Sequence, residues 1–81
     1  MDELFRQYEA GTIPYMPANW QSLIGVTYIG IQNGICFFNI KELEVDDEKI
    51  PDGIRYVALK DIQFDRKMNE VTLKIKKRKR S

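Results

Sequence analysis

The chain has 81 residues, of which 43% are hydrophobic and 31% are charged. This length accommodates one domain, and the composition is too apolar for an intrinsically disordered chain. No uninterrupted stretch of about 20 apolar residues occurs, so no membrane-spanning helix is expected. The net charge of +1 hides an asymmetry, because residues 74–81 carry six basic and no acidic side chains, whereas residues 1–73 carry seven basic and twelve acidic ones. Such an asymmetry favours a polyanionic partner.

The start of the chain and its cysteine content both point to a reducing compartment. Met1-Asp2-Glu3 does not resemble the basic start of a signal peptide. The single cysteine, Cys36, has no partner within the chain with which to form a disulfide. The sequence therefore predicts a cytoplasmic location.

The first element is a short helix, predicted over residues 2–10. Leu4, Phe5 and Tyr8 fall on one face of this helix and form an apolar stripe. Because a helix of this length is not stable alone in water, we expect it to dock on a sheet. Residues 12–19 contain two prolines and predict an extended connector.

Strand-like patterns follow the connector. Residues 22–40 predict a β-hairpin, because two runs rich in β-branched and aromatic residues flank Asn33-Gly34, a strong hairpin-turn signal. Gly25 and Gly30 in the first run predict a bulge or a sharp bend. Residues 41–53 are polar and acidic, and they predict a solvated loop.

A second hairpin is predicted over residues 54–76, and a basic tail follows over residues 77–81. Residues 70–76 alternate between apolar and polar side chains, as in a strand with one solvent-exposed face. Together the elements predict one mostly β (α+β) domain over residues 1–76. Its helix is followed by a strongly bent antiparallel sheet of four to five strands, as in SH3-like or Sm-like small barrels. An open α+β sheet is the alternative.

The second predicted hairpin carries a local resemblance. Residues 64–73 read Phe-Asp-Arg-Lys-Met-Asn-Glu-Val-Thr-Leu and resemble the F-D-x-x-M-N core of the Sm/Lsm RNA-binding family. In that family the Asp, Met and Asn of this loop help to build a uridine pocket in a ring of subunits. The second motif of the family does not follow here, and the resemblance covers ten of the 81 residues. It therefore assigns no family to the chain.

The residue types that carry most enzyme chemistry are scarce. The chain has no histidine, which is the commonest general base and the commonest metal ligand. Cys36 lies in the most apolar run, where a buried and inert thiol is expected. Asp46, Asp47, Glu48 and Asp52 lack the ligand spacing of a calcium loop. We therefore expect no catalytic activity, no cofactor and no metal site.

The leading functional hypothesis is a non-catalytic module that binds nucleic acid, either RNA or single strands. Binding is expected to occur mainly through phosphate contacts of the basic C-terminal strand and tail. A hairpin tip is expected to contribute secondary contacts. The residues in the strand and tail are Lys74, Lys76, Lys77, Arg78, Lys79 and Arg80, and those in the tip are Arg66 and Lys67.

The alternative hypothesis is a protein-interaction module, of the assembly or inhibitor kind found in phages and mobile elements, that binds an acidic or apolar protein surface. Phe37 and Phe38 are consecutive, so one of them lies under the helix or on an exposed interface. Tyr15 and Trp20 flank the connector, and they pack over the mouth of the barrel, form a stacking platform for single-stranded bases or form an anchor pocket for a peptide. The acidic loop could instead fold back on the tail and mask its charge.

Overall fold

The computed structural model describes residues 2–62. Over this range the chain is mostly β, with one short helix and five strands in antiparallel pairs. Strands β1, β2 and β5 form one sheet in that order, and β3 and β4 form a second sheet. The elements are α1 (Asp2–Glu9), β1 (Val26–Gln32), β2 (Ile35–Ile40), β3 (Leu43–Val45), β4 (Glu48–Ile50) and β5 (Gly53–Ala58), with 3-10 turns at Ala18–Trp20 and Leu59–Asp61.

The β1–β2 hairpin confirms the turn predicted from Asn33-Gly34. Both residues have positive φ angles, 50° and 76°, as a two-residue type I′ turn requires. The pairing register shifts between Tyr28 and Gly30, which is the predicted bulge. Gly25 does not contribute to it, because it precedes the first residue of β1.

One face of the central sheet, which we call the core face, carries the main hydrophobic core. Cys36, Phe38 and Ile40 alternate along β2 and point to this face together with Val57 of β5. Met16 of the connector and Leu43 of β3 complete the fully enclosed part of the core. The connector and the small β3–β4 sheet therefore cover this face.

The opposite face, which we call the helix face, is covered by α1. Phe37 and Tyr56 are cross-strand partners on this face. The Tyr8 ring of α1 contacts both, with ring centroids 6.3 Å from Phe37 and 4.5 Å from Tyr56. The predicted apolar stripe of the helix thus docks on the sheet, and the aromatic rings supply the contact.

The predicted acidic loop over residues 41–53 is corrected by the structure, since most of it forms the β3–β4 hairpin. Leu43 is buried, and Val45 and Ile50 pack against the core. These three apolar residues are separated by charged ones, so the segment is a small amphipathic sheet. The sequence pattern failed here because each strand has only three residues, which is too short for an alternation to be evident.

The second predicted hairpin is described only in part. Its first strand is β5, and a 3-10 turn follows at Leu59–Asp61. The remainder of that hairpin and the basic tail lie outside the described residues. Residues 2–62 form two sheets and no closed barrel.

Candidate functional site

The basic residues predicted to bind nucleic acid all lie outside the described residues, as does the segment that resembles the Sm/Lsm core. Their distribution along the chain is nevertheless clear. Residues 2–62 contain five basic and ten acidic side chains, a net charge of −5, whereas residues 63–81 contain eight basic and two acidic ones, a net charge of +6. The folded body that the structure describes is therefore acidic, and the positive charge of the protein is concentrated after it.

Much of the negative charge of the body projects from one element. Residues 41–52, which we call the acidic arm, include the β3–β4 hairpin and hold six carboxylates and two lysines. All eight of these charged side chains are exposed: Lys41, Glu42, Glu44, Asp46, Asp47, Glu48, Lys49 and Asp52. The apolar side chains of the arm face the core, so its outer surface is almost wholly ionic and the arm repels polyanions.

The backbone of the acidic arm is held in defined turns. Asp46 and Asp47 close the β3–β4 hairpin with φ angles of 52° and 64°, the same left-handed conformation that Asn33 and Gly34 adopt in the first hairpin. Glu42 is also left-handed, with φ at 55°. Its backbone N–H donates a hydrogen bond to Oδ1 of Asp52, at 3.0 Å. One carboxylate of the arm therefore serves to join its two ends.

Arg55 is the buried cation of the described body. Only 8% of its surface is exposed, and it lies on the core face opposite Phe38. Its guanidinium donates hydrogen bonds to the carbonyl oxygens of Pro51, at 2.6 Å, and Ile54, at 3.3 Å. These bonds hold the turn between β4 and β5, which gives Arg55 a structural role and removes its charge from the surface.

The four aromatic residues predicted to form an interface divide into three groups. Phe37 and Phe38 are both buried, on the helix face and the core face respectively, so neither is on an exposed interface. Of the two alternatives for this pair, the structure shows the one in which Phe37 lies under the helix, and the alternative of an exposed face is wrong for β2, which is covered on both sides. Trp20 packs against the core, and no ring contact joins it to Tyr15 among the described residues.

Tyr15 is the exposed member of that set, with 53% of its surface accessible. Its ring contacts the Tyr56 ring at a centroid distance of 5.8 Å and an interplanar angle of 77°. Tyr56 in turn contacts Tyr8, which contacts Phe5 at 5.6 Å. A row of contacting rings, edge-to-face except for the tilted Phe5–Tyr8 pair, therefore runs from the helix to the surface and ends at Tyr15.

The structure shows a second exposed apolar feature, which the sequence did not predict. Ile24 is 95% exposed and its neighbour Leu23 is 36% exposed, and we call these two residues the apolar tip. The tip is ordered, because the Leu23 N–H bonds the Trp20 carbonyl at 2.9 Å and the Lys41 N–H bonds the Gly25 carbonyl at 2.9 Å. The sequence places both residues in a β-like run, which gave no signal that they would lie outside the strand.

At Gly25, the residue after the apolar tip, the backbone closely approaches the base of the acidic arm. A Cβ at this position would lie 2.7 Å from the Lys41 carbonyl oxygen and 3.1 Å from the Leu43 Cα. The φ angle of Gly25 is +100°, a value that side chains disfavour. Glycine is therefore required, and it places Ile24 next to the base of the arm.

The single thiol is enclosed, and the Tyr28 hydroxyl is half-buried. Cys36 is buried, as expected from its apolar run. Burial raises the pKa of the nearby Tyr28 hydroxyl from 10.0 to about 12, with a smaller contribution from Cys36. No cluster of potential metal ligands occurs among residues 2–62. A shallow groove of about 290 Å³ lies along α1, and its lining is mostly exposed: Glu3, Arg6, Gln7, Ala10 and Thr12.

Comparisons with known proteins give no relative. No protein-family model matches the chain, and neither the curated proteins nor the solved structures include a significant match. Within the described part of the chain, no helix is long and apolar enough to cross a membrane. The function therefore has to be argued from the residues themselves.

Proposed function

We propose that the protein is a small non-catalytic cytoplasmic module that binds nucleic acid, RNA or single strands, through its basic C-terminal segment. The observation that carries this proposal is the separation of charge, −5 over residues 2–62 and +6 over residues 63–81. Phosphate groups bind clustered Lys and Arg side chains and release counterions, which supplies affinity that does not depend on sequence. The phosphate contacts are assigned to Lys74, Lys76, Lys77, Arg78, Lys79 and Arg80, with Arg66 and Lys67 secondary.

The negative charge of the body restricts which part of the protein attracts a nucleic acid. The exposed carboxylates of the body repel phosphate, so a nucleic acid is attracted to the basic C-terminal segment and repelled by the acidic arm. Because Arg55 is buried and hydrogen-bonded to backbone carbonyls, it does not offset this repulsion at the surface. The exposed lysines of the body, such as Lys49, lie among carboxylates.

The proposal extends to the fold. We propose that the complete domain is an SH3-like or Sm-like small barrel, in which residues 70–76 supply a further strand. Five short antiparallel strands and a bulge near Ile29 support this, because bulges increase the twist that lets a small sheet curl. An experimental structure of the whole chain tests it, and a final segment that pairs with no strand would contradict it.

The test of nucleic-acid binding uses two variants with the same net charge. In the first, Lys76, Lys77 and Lys79 are replaced by Gln, and in the second the exposed body lysines Lys41, Lys49 and Lys60 are replaced by Gln. Binding of a fluorescent single-stranded oligonucleotide is measured from about 50 to 200 mM salt. We expect the first variant to lose at least about tenfold in affinity and to lower the salt slope by about 2, since each single-strand contact contributes about 0.7.

The second variant is expected to bind as the natural chain does, or slightly more weakly. Equal losses in the two variants would show that only net charge matters and would contradict a C-terminal binding segment. The absence of binding by the natural chain at the lowest salt would reject the proposed function altogether. A duplex of the same length, titrated in parallel, measures the preference for single strands.

A second candidate function is protein interaction, and the apolar tip is the observation that favours it. An ordered isoleucine that is 95% exposed resembles the apolar anchors that insert into pockets on partner proteins. The adjacent acidic arm would suit a partner with a basic rim around such a pocket.

This candidate is tested with two substitutions in the same loop. Ile24→Asp removes the apolar anchor, and Ser22→Asp adds the same charge nearby at an exposed residue. Partners that are captured from cell extract by the natural chain and by Ser22→Asp, but lost with Ile24→Asp, would support this function. Equal capture by all three would count against the tip.

A further inference from the structure

We propose that the exposed ring of Tyr15 is a stacking platform for an unpaired base of a single-stranded nucleic acid. This inference rests on the proposed nucleic-acid binding and adds a site on the described body to the basic segment that binds phosphate. Three properties of Tyr15 suit it to this role: its backbone is held by hydrogen bonds, its ring packs against other rings, and about half of its surface is accessible.

The backbone of Tyr15 is fixed by its neighbours in the connector. Met16 is fully buried in the core, and its N–H donates a hydrogen bond to the Tyr56 carbonyl at 2.8 Å. On the other side, the Pro14 carbonyl accepts a hydrogen bond from the Tyr56 N–H at 3.2 Å. Tyr15 therefore pairs with β5 as an isolated parallel bridge, which leaves little freedom in its main chain.

The ring of Tyr15 is braced by other rings. Its contact with Tyr56 is nearly perpendicular, and Tyr56 is itself held by Tyr8 at a centroid distance of 4.5 Å. A perpendicular contact with one ring occupies an edge or at most one face of the Tyr15 ring. The accessibility of 53% agrees with this arrangement.

A braced and exposed tyrosine suits a flat, uncharged ligand. Tyrosine provides a large contact area with few rotatable bonds, so little conformational entropy is lost on binding. Stacking of one base on one aromatic ring changes a dissociation constant by a factor of roughly 5 to 150. Only an unpaired base exposes its faces for such a contact, so the platform favours single strands over duplexes.

The positive charge of residues 63–81 favours a single-stranded nucleic acid over an apolar protein as the partner. The eight cations of residues 63–81 supply the phosphate contacts that a single strand needs. In the chain this segment begins after the 3-10 turn that follows β5, the strand against which Tyr15 is held. A single strand that binds these cations through its phosphates also carries unpaired bases, and we assign one of them to the ring of Tyr15.

The experiment compares a single-stranded thymidine oligonucleotide with an abasic oligonucleotide of the same length and charge. It uses the natural chain, Tyr15→Ala, Tyr15→Phe and, as a control for loss of an exposed apolar side chain elsewhere, Ile24→Ala. We expect the natural chain to bind the thymidine strand about tenfold more tightly than the abasic strand. Tyr15→Ala should remove this difference without changing the affinity for the abasic strand, whereas Tyr15→Phe and Ile24→Ala should retain it.

The outcomes separate this inference from the proposed function. If neither oligonucleotide binds the natural chain, the proposed function fails and the platform fails with it. If both bind equally, or if Tyr15→Ala leaves the preference for thymidine unchanged, nucleic-acid binding stands and the platform is rejected. Sedimentation of the same variants tests a protein contact, and a change in self-association with Tyr15→Ala at unaltered thymidine binding would assign the ring to a protein interface instead.

Discussion

The two faces of the central strand β2 are both covered, but by different kinds of structure. The core face is closed by non-helical chain, the connector with Met16 and the β3–β4 hairpin with Leu43. The helix face is closed by a helix of eight residues through a row of aromatic rings. A short chain can thus bury both faces of one strand. On the helix face this is possible because large rings compensate for the small area that a two-turn helix covers.

The largest expected effect comes from removing the central side chain of each face. Phe37→Ala and Phe38→Ala are each expected to lower the free energy of unfolding by about 3–5 kcal/mol, because both rings are buried. Urea denaturation measures the two values. A loss below about 1 kcal/mol for Phe37→Ala alone would show that α1 covers its face only loosely.

The second-largest effect is expected from a substitution at the place where the acidic arm approaches the rest of the body. Gly25→Ala is expected to cost about 2–4 kcal/mol, since its Cβ would meet backbone atoms and its φ angle is unfavourable for alanine. Gly11→Ala is the matched control, because its φ is +79° with no atom within 4 Å of the added Cβ. The control is expected to cost about 1 kcal/mol. Similar values for both would contradict the close approach.

Alkaline pH should weaken the core face through Tyr28, whose ring packs on Phe38 at a centroid distance of 5.6 Å. Desolvation raises its pKa from 10.0 to about 12 in the folded protein. The unfolded chain therefore releases the Tyr28 proton at lower pH than the folded one, so this contribution to stability is complete below pH 10 and is lost as pH rises towards 12. Denaturation curves from pH 8 upward should fall more steeply for the natural chain than for Tyr28→Phe, and parallel curves would contradict the shift.

The smallest effects are expected from substitutions that exchange the residue types of the two hairpin turns. Replacement of Asp46-Asp47 by Asn-Gly should stabilise the protein by about 0.5–1 kcal/mol, because Gly adopts the left-handed conformation without strain. Replacement of Asn33-Gly34 by Asp-Asp should destabilise it by a similar amount. Thermal unfolding of both variants checks the prediction, and shifts in the same direction would show that the turns are not equivalent.

The sequence was sufficient for features that depend on neighbouring residues. The short helix, the Asn33-Gly34 turn, the bulge before Gly30 and the burial of Cys36 all follow from local propensity and hydrophobic pattern. The separation of acidic and basic charge is likewise a property of the chain itself. For these features, the preferred local conformation agrees with the one that packing requires.

Tertiary structure alone decided which surfaces are covered. Sequence cannot state that Phe37 and Phe38 are both buried, because that depends on a helix and a hairpin reaching opposite faces of one sheet. The β3–β4 hairpin exists because its three apolar side chains find the core, although its turn residues disfavour the conformation that they adopt. The same long-range packing leaves Tyr15 and Ile24 exposed, since burial is a property of the assembled fold and not of a residue's own hydrophobicity.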